Sequence, residues 1–298
     1  MRVLVTGASG FVGRSAVAGL LQRGAEVVGV ARNPLSDLPI EWMTADLLEP
    51  GAASAILRKA APDVVLHLAW ATEHGKFWSD PANDLWLVRS IELAQAARDL
   101  KIQRVVMTGT CYEYAFPAQG DCIEGRTPVE AHFPYDMAKA ACHRACADIL
   151  AGSGVTFSWA RLFYLYGPHE HEARLAPSVA RALLRGEVAA CSSGLAVRDY
   201  MHVADVGAGL AALALSSVEG AVNVASGQGT TIAHLAQVLA DLVGRPDLLH
   251  LGARPDRTDE PPRITADVTR LSQEVGFQPR FDLRSGLADA LSYWRSQI

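Results

Sequence analysis

The chain has 298 residues, half of them apolar and a fifth charged, the balance of a soluble globular protein with one large core or two modest ones. A formal charge of −5 leaves no overall basic surface, so nucleic acid is not an expected partner. Five cysteines, at 111, 122, 142, 146 and 191, are odd in number and scattered, which excludes a disulfide framework.

The first element, "RVLVTG", is an apolar run that stops at Gly7, and a helical pattern follows with Val12, Ala16 and Leu20 on one face. "AEVVGVAR", "DVVLHLAW" and "QRVVMTGT" are further short runs, each nearly continuous rather than alternating. Such runs belong to strands covered on both faces, as in a parallel sheet. "DLWLVRSIELAQAARDL" between them reads as a helix, and "VTFSWARLF" and "GAVNVAS" as later strands. Strand and helix alternate, which predicts an α/β, Rossmann-type doubly wound sheet. From about Gly167 the chain turns rich in Pro, Gly and charge, in "YGPHEHEARLAP", "GARPDRTDEPPRIT" and "EVGFQPRFD". We read residues 1–166, with return elements near 195–230, as a dinucleotide-binding domain. Residues 167–298 read mainly as a smaller substrate lobe of loops and short elements. The opening stretch has no export signal, and the longest uncharged apolar stretch, 206–218, is shorter than the roughly 20 residues that span a bilayer. A cytoplasmic protein with no membrane partner is expected.

"VLVTGASGFVGR" places glycines at 7, 10 and 13 between a strand and a helix. Gly7 permits the tight turn, Gly10 lets backbone approach a pyrophosphate, and Gly13 lets the helix pack close to the strand. The free amides of the helix N-terminus would hold the phosphates. The residue ending the second strand separates the two nicotinamide cofactors, because a carboxylate there grips a ribose 2′-hydroxyl and an Arg accommodates a 2′-phosphate. Here "GVARNP" offers Arg32 and no carboxylate. That favours NADP, with NAD the alternative if Arg32 is only a solvated side chain.

In "HFPYDMAKAACHRACA" Pro134 suits a first helical turn, so a helix is predicted from 135 to about 151. Tyr135 and Lys139 then share one face. Upstream, "RVVMTGT" ends at Thr110, on the side of the sheet that borders a ligand crevice.

The glycine triplet, "HLAW", Thr110 and the Tyr-x-x-x-Lys together resemble the extended short-chain dehydrogenase/reductase family, the NAD(P)-dependent epimerases, dehydratases and reductases of nucleotide sugars. "ARLFYLYGP", "VRDYMHVADV" and "FQPRFDLRSGLADAL" continue the resemblance through the second half. It implies a catalytic triad of Thr110, Tyr135 and Lys139. It further implies cofactor contacts at Phe11, Val12, Asp46 and Leu47, at Leu68, Ala69 and Trp70 of the "HLAW" stretch, and at Phe163. Tyr112, Tyr164, Arg198 and Arg254 are implied on the substrate side, the two arginines gripping a nucleoside diphosphate. A homodimer through helices near 85–100 and 135–150 is implied as well.

The chemistry suits those assignments. A phenol titrates near 10, and an ammonium about 5 Å away, at an effective dielectric near 20, favours phenolate by roughly 3 kcal/mol. Lys139 is therefore expected to lower Tyr135, which gives a proton to a sugar carbonyl or takes one from a hydroxyl, while Thr110 holds the reacting oxygen. Cys142, His143 and Cys146 do not make a metal site on this reading: His143 is turned about 100° from Cys142 on a helix, and no fourth ligand is evident. "HEHE" at 169–172 reads as a solvated entrance to the lobe.

The resemblance also narrows the reaction. The family's 4,6-dehydratases carry Asp-Glu after the catalytic Thr, where this chain has Cys111 and Tyr112. Its 3,5-epimerase/reductases place a Cys two positions beyond the hydroxyl residue, where this chain has Tyr112. A 4-ketoreductase of a nucleotide-linked 4-keto-6-deoxyhexose is favoured by Arg32. An NAD-dependent 4-epimerase is the alternative, weakened by Tyr164 in place of an Asn and by Trp86 and Ser90 in place of a polar "NVxGT" helix. A non-catalytic NADP-binding redox sensor is the reading of a different class, and the retained Tyr-x-x-x-Lys speaks against it.

Overall fold

All six apolar runs form strands in the computed structural model, which describes residues 1–257 and 260–298. The first half contains β1 (Arg2–Thr6), α1 (Phe11–Gln22), β2 (Glu26–Ala31), β3 (Glu41–Thr44), α2 (Ala52–Ala60), β4 (Val64–His67), α3 (Ala82–Asp99), β5 (Arg104–Thr110) and α4 (Pro134–Leu150). Then follow β6 (Thr156–Leu162), β7 (Tyr164–Tyr166), α5 (Leu175–Leu184), β8 (Ala189–Ala190), β9 (Val197–His202), α6 (Val203–Ala214) and β10 (Gly220–Val224). The last elements are β11 (Gly229–Thr231), α7 (Ile232–Val243), β12 (Leu249–His250), β13 (Arg263–Ile264) and α8 (Leu283–Arg295).

Seven strands make one sheet in the order β10-β6-β5-β4-β1-β2-β3, every neighbouring pair parallel. The chain runs outward through β1, β2 and β3, then returns to the other side of β1 for β4, β5 and β6. That reversal leaves a crevice beyond the carboxyl ends of β1 and β4, where open α/β sheets bind ligands. β3 has no counterpart in the sequence reading. It is a four-residue edge strand with one buried residue, Met43, too short and too exposed to make an apolar run.

The sheet is covered on both faces, which is why its strands are apolar without alternation. One face packs on Val17 and Leu20 of α1 and on Val206, Leu210 and Leu213 of α6. The other packs on Ile56 and Leu57 of α2, Leu93 and Ala97 of α3 and Leu150 of α4. The apolar stretch 206–218 is thus mostly helix α6, buried between α1 and the sheet rather than in a bilayer. No helix among the described residues is long and apolar enough to cross a membrane.

The second half differs from the loop-rich lobe expected. A separate core joins Val179 and Leu183 of α5, Leu235 and Leu239 of α7, and Leu287, Leu291 and Trp294 of α8. Those four-residue spacings are helical signals that Pro, Gly and charge in the connecting segments obscured. Beside this core, β11, β9 and β13 form a second sheet to which β7 adds through β9. Of the stretch read as loop at 252–265, Thr258 and Asp259 lie outside the described residues.

α1 and α6 approach so closely that only glycine fits their contact. A Cβ on Gly207 would lie 2.2 Å from the Ser15 carbonyl carbon, and one on Gly19 would lie 3.0 Å from Ala208 Cα. Backbone cannot rotate away as a side chain does, so Gly207→Ala is expected to lower the unfolding free energy by about 1–3 kcal/mol or more. Urea unfolding that matches the parent would show that the two helices separate freely.

Candidate active site

A cavity of about 660 Å³ opens at the sheet reversal, within the range of small-molecule sites. Its first wall is the turn after β1. Gly7 has φ +67°, and a Cβ there would meet Ala69 N at 2.9 Å. A Cβ on Gly13 would lie 2.0 Å from Gly7 O, so the helix can approach the strand only because residue 13 is glycine. Gly10 N donates to Gly7 O at 3.0 Å, which turns the chain into α1. Phe11, Val12 and Gly13, whose amides open that helix, line the cavity with Gly7 and Gly10. Free amides and the helix dipole give this end a geometry and polarity suited to an anion such as a phosphate.

Arg32, exposed at the end of β2, also lines the cavity, as do Asp46, Leu47, Leu68, Ala69, Trp70 and Phe163. The segment after β4 is fixed by a buried relay. Thr6 Oγ1 accepts from Leu68 N at 3.1 Å and Ala69 N at 3.2 Å, which leaves its own hydrogen for His67 Nδ1 at 2.7 Å. His67 Nε2 then donates to Ser90 Oγ at 3.0 Å. Burial, aided by Lys139, pushes His67 down to about 3, so the imidazole is neutral, as that relay requires.

Thr110, Tyr135 and Lys139 all line the cavity. Lys139 is 4 % exposed. Its Nζ donates to Thr108 O at 2.8 Å and stands 3.7 Å from the Trp70 ring centroid. Trp70 is held in turn by its Nε1, which donates to Asn83 Oδ1 at 2.8 Å. Burial lowers Lys139 to about 8, because an ammonium loses its water there. Tyr135 N donates to Trp78 O at 3.2 Å, and its ring meets those of Phe77 and Trp78 edge-on at 4.9 and 5.7 Å. Here the electrostatics differ from the expectation. Burial, with Glu113 and Cys111 behind it, raises the Tyr135 phenol well above its ordinary value. The opposing pull comes from Arg174 rather than from Lys139, and the desolvation of the phenol outweighs it.

The turn that carries Thr110 is built on residues the sequence reading missed. Thr110 Oγ1 accepts from Tyr112 N at 3.3 Å, and Thr110 N donates to Glu113 Oε1 at 2.9 Å. Glu113 is fully buried and accepts from Arg161 Nε at 2.8 Å and from Trp159 Nε1 at 3.0 Å. A Cβ on Gly109 would fall 2.1 Å from Trp159 Nε1 and 2.2 Å from Glu113 Oε1. The signal was present: Thr110 and Glu113 have the Thr-x-x-Glu spacing of a capping box.

Tyr112 and Tyr164 line the cavity, joined hydroxyl to hydroxyl at 2.7 Å. Arg198 and Arg254 are not among the lining residues. Arg198 is fully buried, and its guanidinium donates to Tyr164 Oη at 3.0 Å, Val197 O at 2.9 Å and Glu260 Oε2 at 3.1 Å. It faces the cavity only through Tyr164, whereas the sequence led us to expect an open fork. Arg254 is exposed, and its amide donates to Cys191 O at 3.0 Å. Cys142 and Cys146 are buried with their sulfurs 3.8 Å apart, and His143 stacks on Trp159 at 5.0 Å. Among the described residues no group of three His, Cys, Asp or Glu is placed to hold a metal ion.

Residues 3–225 match the family model described as the NAD dependent epimerase/dehydratase family. The chain belongs to this family. It is 30% identical to UDP-glucose 4-epimerase of Mycolicibacterium smegmatis, covering 100% of this chain and 99% of that protein. It is 24% identical to UDP-glucuronic acid decarboxylase 1 of Arabidopsis thaliana, covering all of this chain and 71% of the plant protein. Among solved structures, MoeE5 in complex with UDP-glucuronic acid and NAD superposes with a TM-score of 0.87 at 28% identity, each chain covered fully. The UDP-glucose 4-epimerase of Thermus thermophilus in complex with NAD also scores 0.87, at 24% identity over both full chains, a likeness of fold. The chain is thus of the epimerase/dehydratase type, on the extended short-chain dehydrogenase/reductase fold.

The buried ammonium yields a prediction with a definite sign. Folded Lys139 titrates near 8 against 10.5 for the free side chain, so between those values the unfolded chain binds more protons and the fold gains stability as pH rises. Below 8 the full penalty is present. The stability difference between Lys139→Met and the parent should therefore shift toward the parent by about 3 kcal/mol from pH 7.5 to above 10.5. Urea titrations across that range check it; a difference independent of pH would contradict the buried charge.

Proposed function

We propose that the protein is an NADP(H)-dependent reductase of a nucleotide-linked 4-keto-6-deoxyhexose. The observation that carries this reading is Arg32, which follows Ala31 at the end of β2 and lines the cavity where a carboxylate would select NAD. A guanidinium meets the oxygens of a 2′-phosphate in two places at once. In this reading the seven-stranded sheet and its helices hold the dinucleotide, and the lobe from 167 onward holds the sugar nucleotide. Bound NADPH would supply hydride to C4 of the sugar.

The side chains account for the rest of the reaction. Tyr135, its phenol raised by burial, is protonated at neutral pH, which is the state needed to donate to a carbonyl oxygen as it becomes an alkoxide. Thr110 Oγ1 accepts from Tyr112 N, so its own hydrogen remains to hold that oxygen. Lys139, anchored on Thr108 O, keeps a positive charge beside the developing anion. Phe77, Trp78 and Tyr112 make an aromatic wall that excludes water and suits an apolar C6 methyl group. Leu85 and Val88 of α3 and Met137 of α4 are 39 %, 48 % and 54 % exposed, which supports a homodimer through these two adjacent helices. A cytoplasmic setting accords with five cysteines that are all free.

The second reading is an NAD-dependent 4-epimerase. It is favoured by the 30% identical UDP-glucose 4-epimerase and by the NAD in the MoeE5 complex. A redox sensor without turnover is opposed by Tyr135 and Lys139 in one cavity. Loss of NADPH absorbance in the presence of dTDP-4-keto-6-deoxyglucose separates the reductase from the other two. The reductase consumes NADPH in proportion to sugar, and Tyr135→Phe should slow it by on the order of 100-fold. Arg32→Asp should exchange the preference for NADPH over NADH. Interconversion of C4 epimers with no net NADPH use would establish the epimerase instead.

A further inference from the structure

We propose that Arg198 is a positioning residue for a pair of phenols, Tyr164 and Tyr112, and that through it Tyr112 presents a hydroxyl hydrogen to an acceptor oxygen of the sugar. This rests on the nucleotide-sugar reading above and names the group that recognises the sugar. The register of the second sheet sets the pair up. Tyr164 of β7 stands opposite Tyr200 of β9, and side chains two apart on a strand share a face, which brings Arg198 beside Tyr164. The guanidinium is clamped by Val197 O at 2.9 Å and Glu260 Oε2 at 3.1 Å, and its Nε donates to Tyr164 Oη at 3.0 Å. Tyr164 Oη lies 2.7 Å from the hydroxyl of Tyr112, which sits in the turn after β5. The hydrogen bonds thus cross from the second sheet to the turn that carries Thr110.

Hydrogen supply gives the pair its direction. A guanidinium has donors only, so Tyr164 Oη accepts from Arg198. The two phenols own two hydrogens, and one of them fills the 2.7 Å contact. Neither hydroxyl has another hydrogen-bond partner among the described residues, so the second hydrogen is left for a ligand. A phenol that accepts from a cation becomes a better donor. Tyr164 therefore gives its hydrogen to Tyr112, and the hydrogen that remains is that of Tyr112. Both phenols line the cavity and keep part of their surface accessible. Arg198 is fully buried and does not line it, so its charge reaches a ligand only through the two hydroxyls. Contacts place Tyr112 at the sugar end. Its amide donates to Thr110 Oγ1 at 3.3 Å, its ring meets that of Trp78 at 4.6 Å, and Trp78 in turn meets Tyr135 at 5.7 Å. A hexose is rich in acceptor oxygens, and a polar donor set in an aromatic wall suits one of them.

The test is calorimetric titration of the full chain, Tyr112→Phe, Tyr164→Phe and the double variant with UDP-glucose, UDP, dTDP-glucose, dTDP and NADPH. Tyr112→Phe, which removes the donor and keeps the ring, should lose about tenfold in affinity for the sugar nucleotide that the parent prefers. Tyr164→Phe cuts Arg198 off from Tyr112 while the guanidinium keeps Val197 and Glu260, and it should lose about threefold. The double variant should lose no more than Tyr112→Phe, since Tyr164 and Arg198 act only through that hydroxyl. UDP, dTDP and NADPH should bind all four proteins alike, which a loosened lobe would not allow. Parent-like sugar-nucleotide binding by Tyr112→Phe or by Tyr164→Phe overturns the proposal. So do losses that add in the double variant, or equal losses for the free nucleotides or NADPH. Binding is read without turnover, so this outcome is independent of NADPH oxidation. A parent that binds none of the four nucleotides without nicotinamide would overturn the nucleotide-sugar reading and this inference together.

Discussion

The site depends on one buried cation. Lys139 brings an ammonium into the sheet reversal, where water is excluded and an unpaired charge is costly. It is tolerated because Thr108 O accepts from it at 2.8 Å and the Trp70 ring faces it at 3.7 Å. Those two partners come from the ends of β5 and β4, so one side chain of α4 fastens the helix to both strands. Tyr135, one turn earlier on the same helix, is positioned by that fastening and by the Phe77 and Trp78 rings beside it.

A second buried charge supports the first. The Glu113 carboxylate, under the turn that carries Thr110, is paired with Arg161 and fills its remaining lone pairs from Trp159 and the Thr110 amide. Removing one member of such a pair usually costs about 3–5 kcal/mol, because the other is left buried and alone. The same carboxylate also raises the Tyr135 phenol. Structural support and proton affinity are therefore coupled: the group that holds Thr110 in place also helps keep the Tyr135 phenol protonated.

Much of this was legible in the sequence, for identifiable reasons. Buried parallel strands write continuous apolar runs, and Gly7, Gly10 and Gly13 stand where backbone approaches backbone, so the sheet and the glycine turn could be read directly. Tyr135 and Lys139 share a face because a helix brings residues four apart together. What was not legible depends on contacts distant in sequence. Arg198 looked like a free fork until its partners Tyr164 and Glu260 came from other segments. The proton affinity of Tyr135 depends on burial, which no local pattern reports. Glu170 read as part of a solvated entrance because nothing in "HEHE" shows that this side chain is buried. The lobe helices were hidden because their apolar spacing is interrupted by prolines and charges at their ends.

The most direct test of the central claim follows the hydride itself. The protein is incubated with NADPH deuterated at the transferable C4 position and dTDP-4-keto-6-deoxyglucose, and the sugar product is analysed by mass spectrometry and proton NMR. The account predicts one deuterium in the product, at C4 of the sugar, with one NADPH consumed per sugar reduced. Reduced sugar without deuterium, or no reduced sugar from a protein shown to bind both ligands, would contradict it.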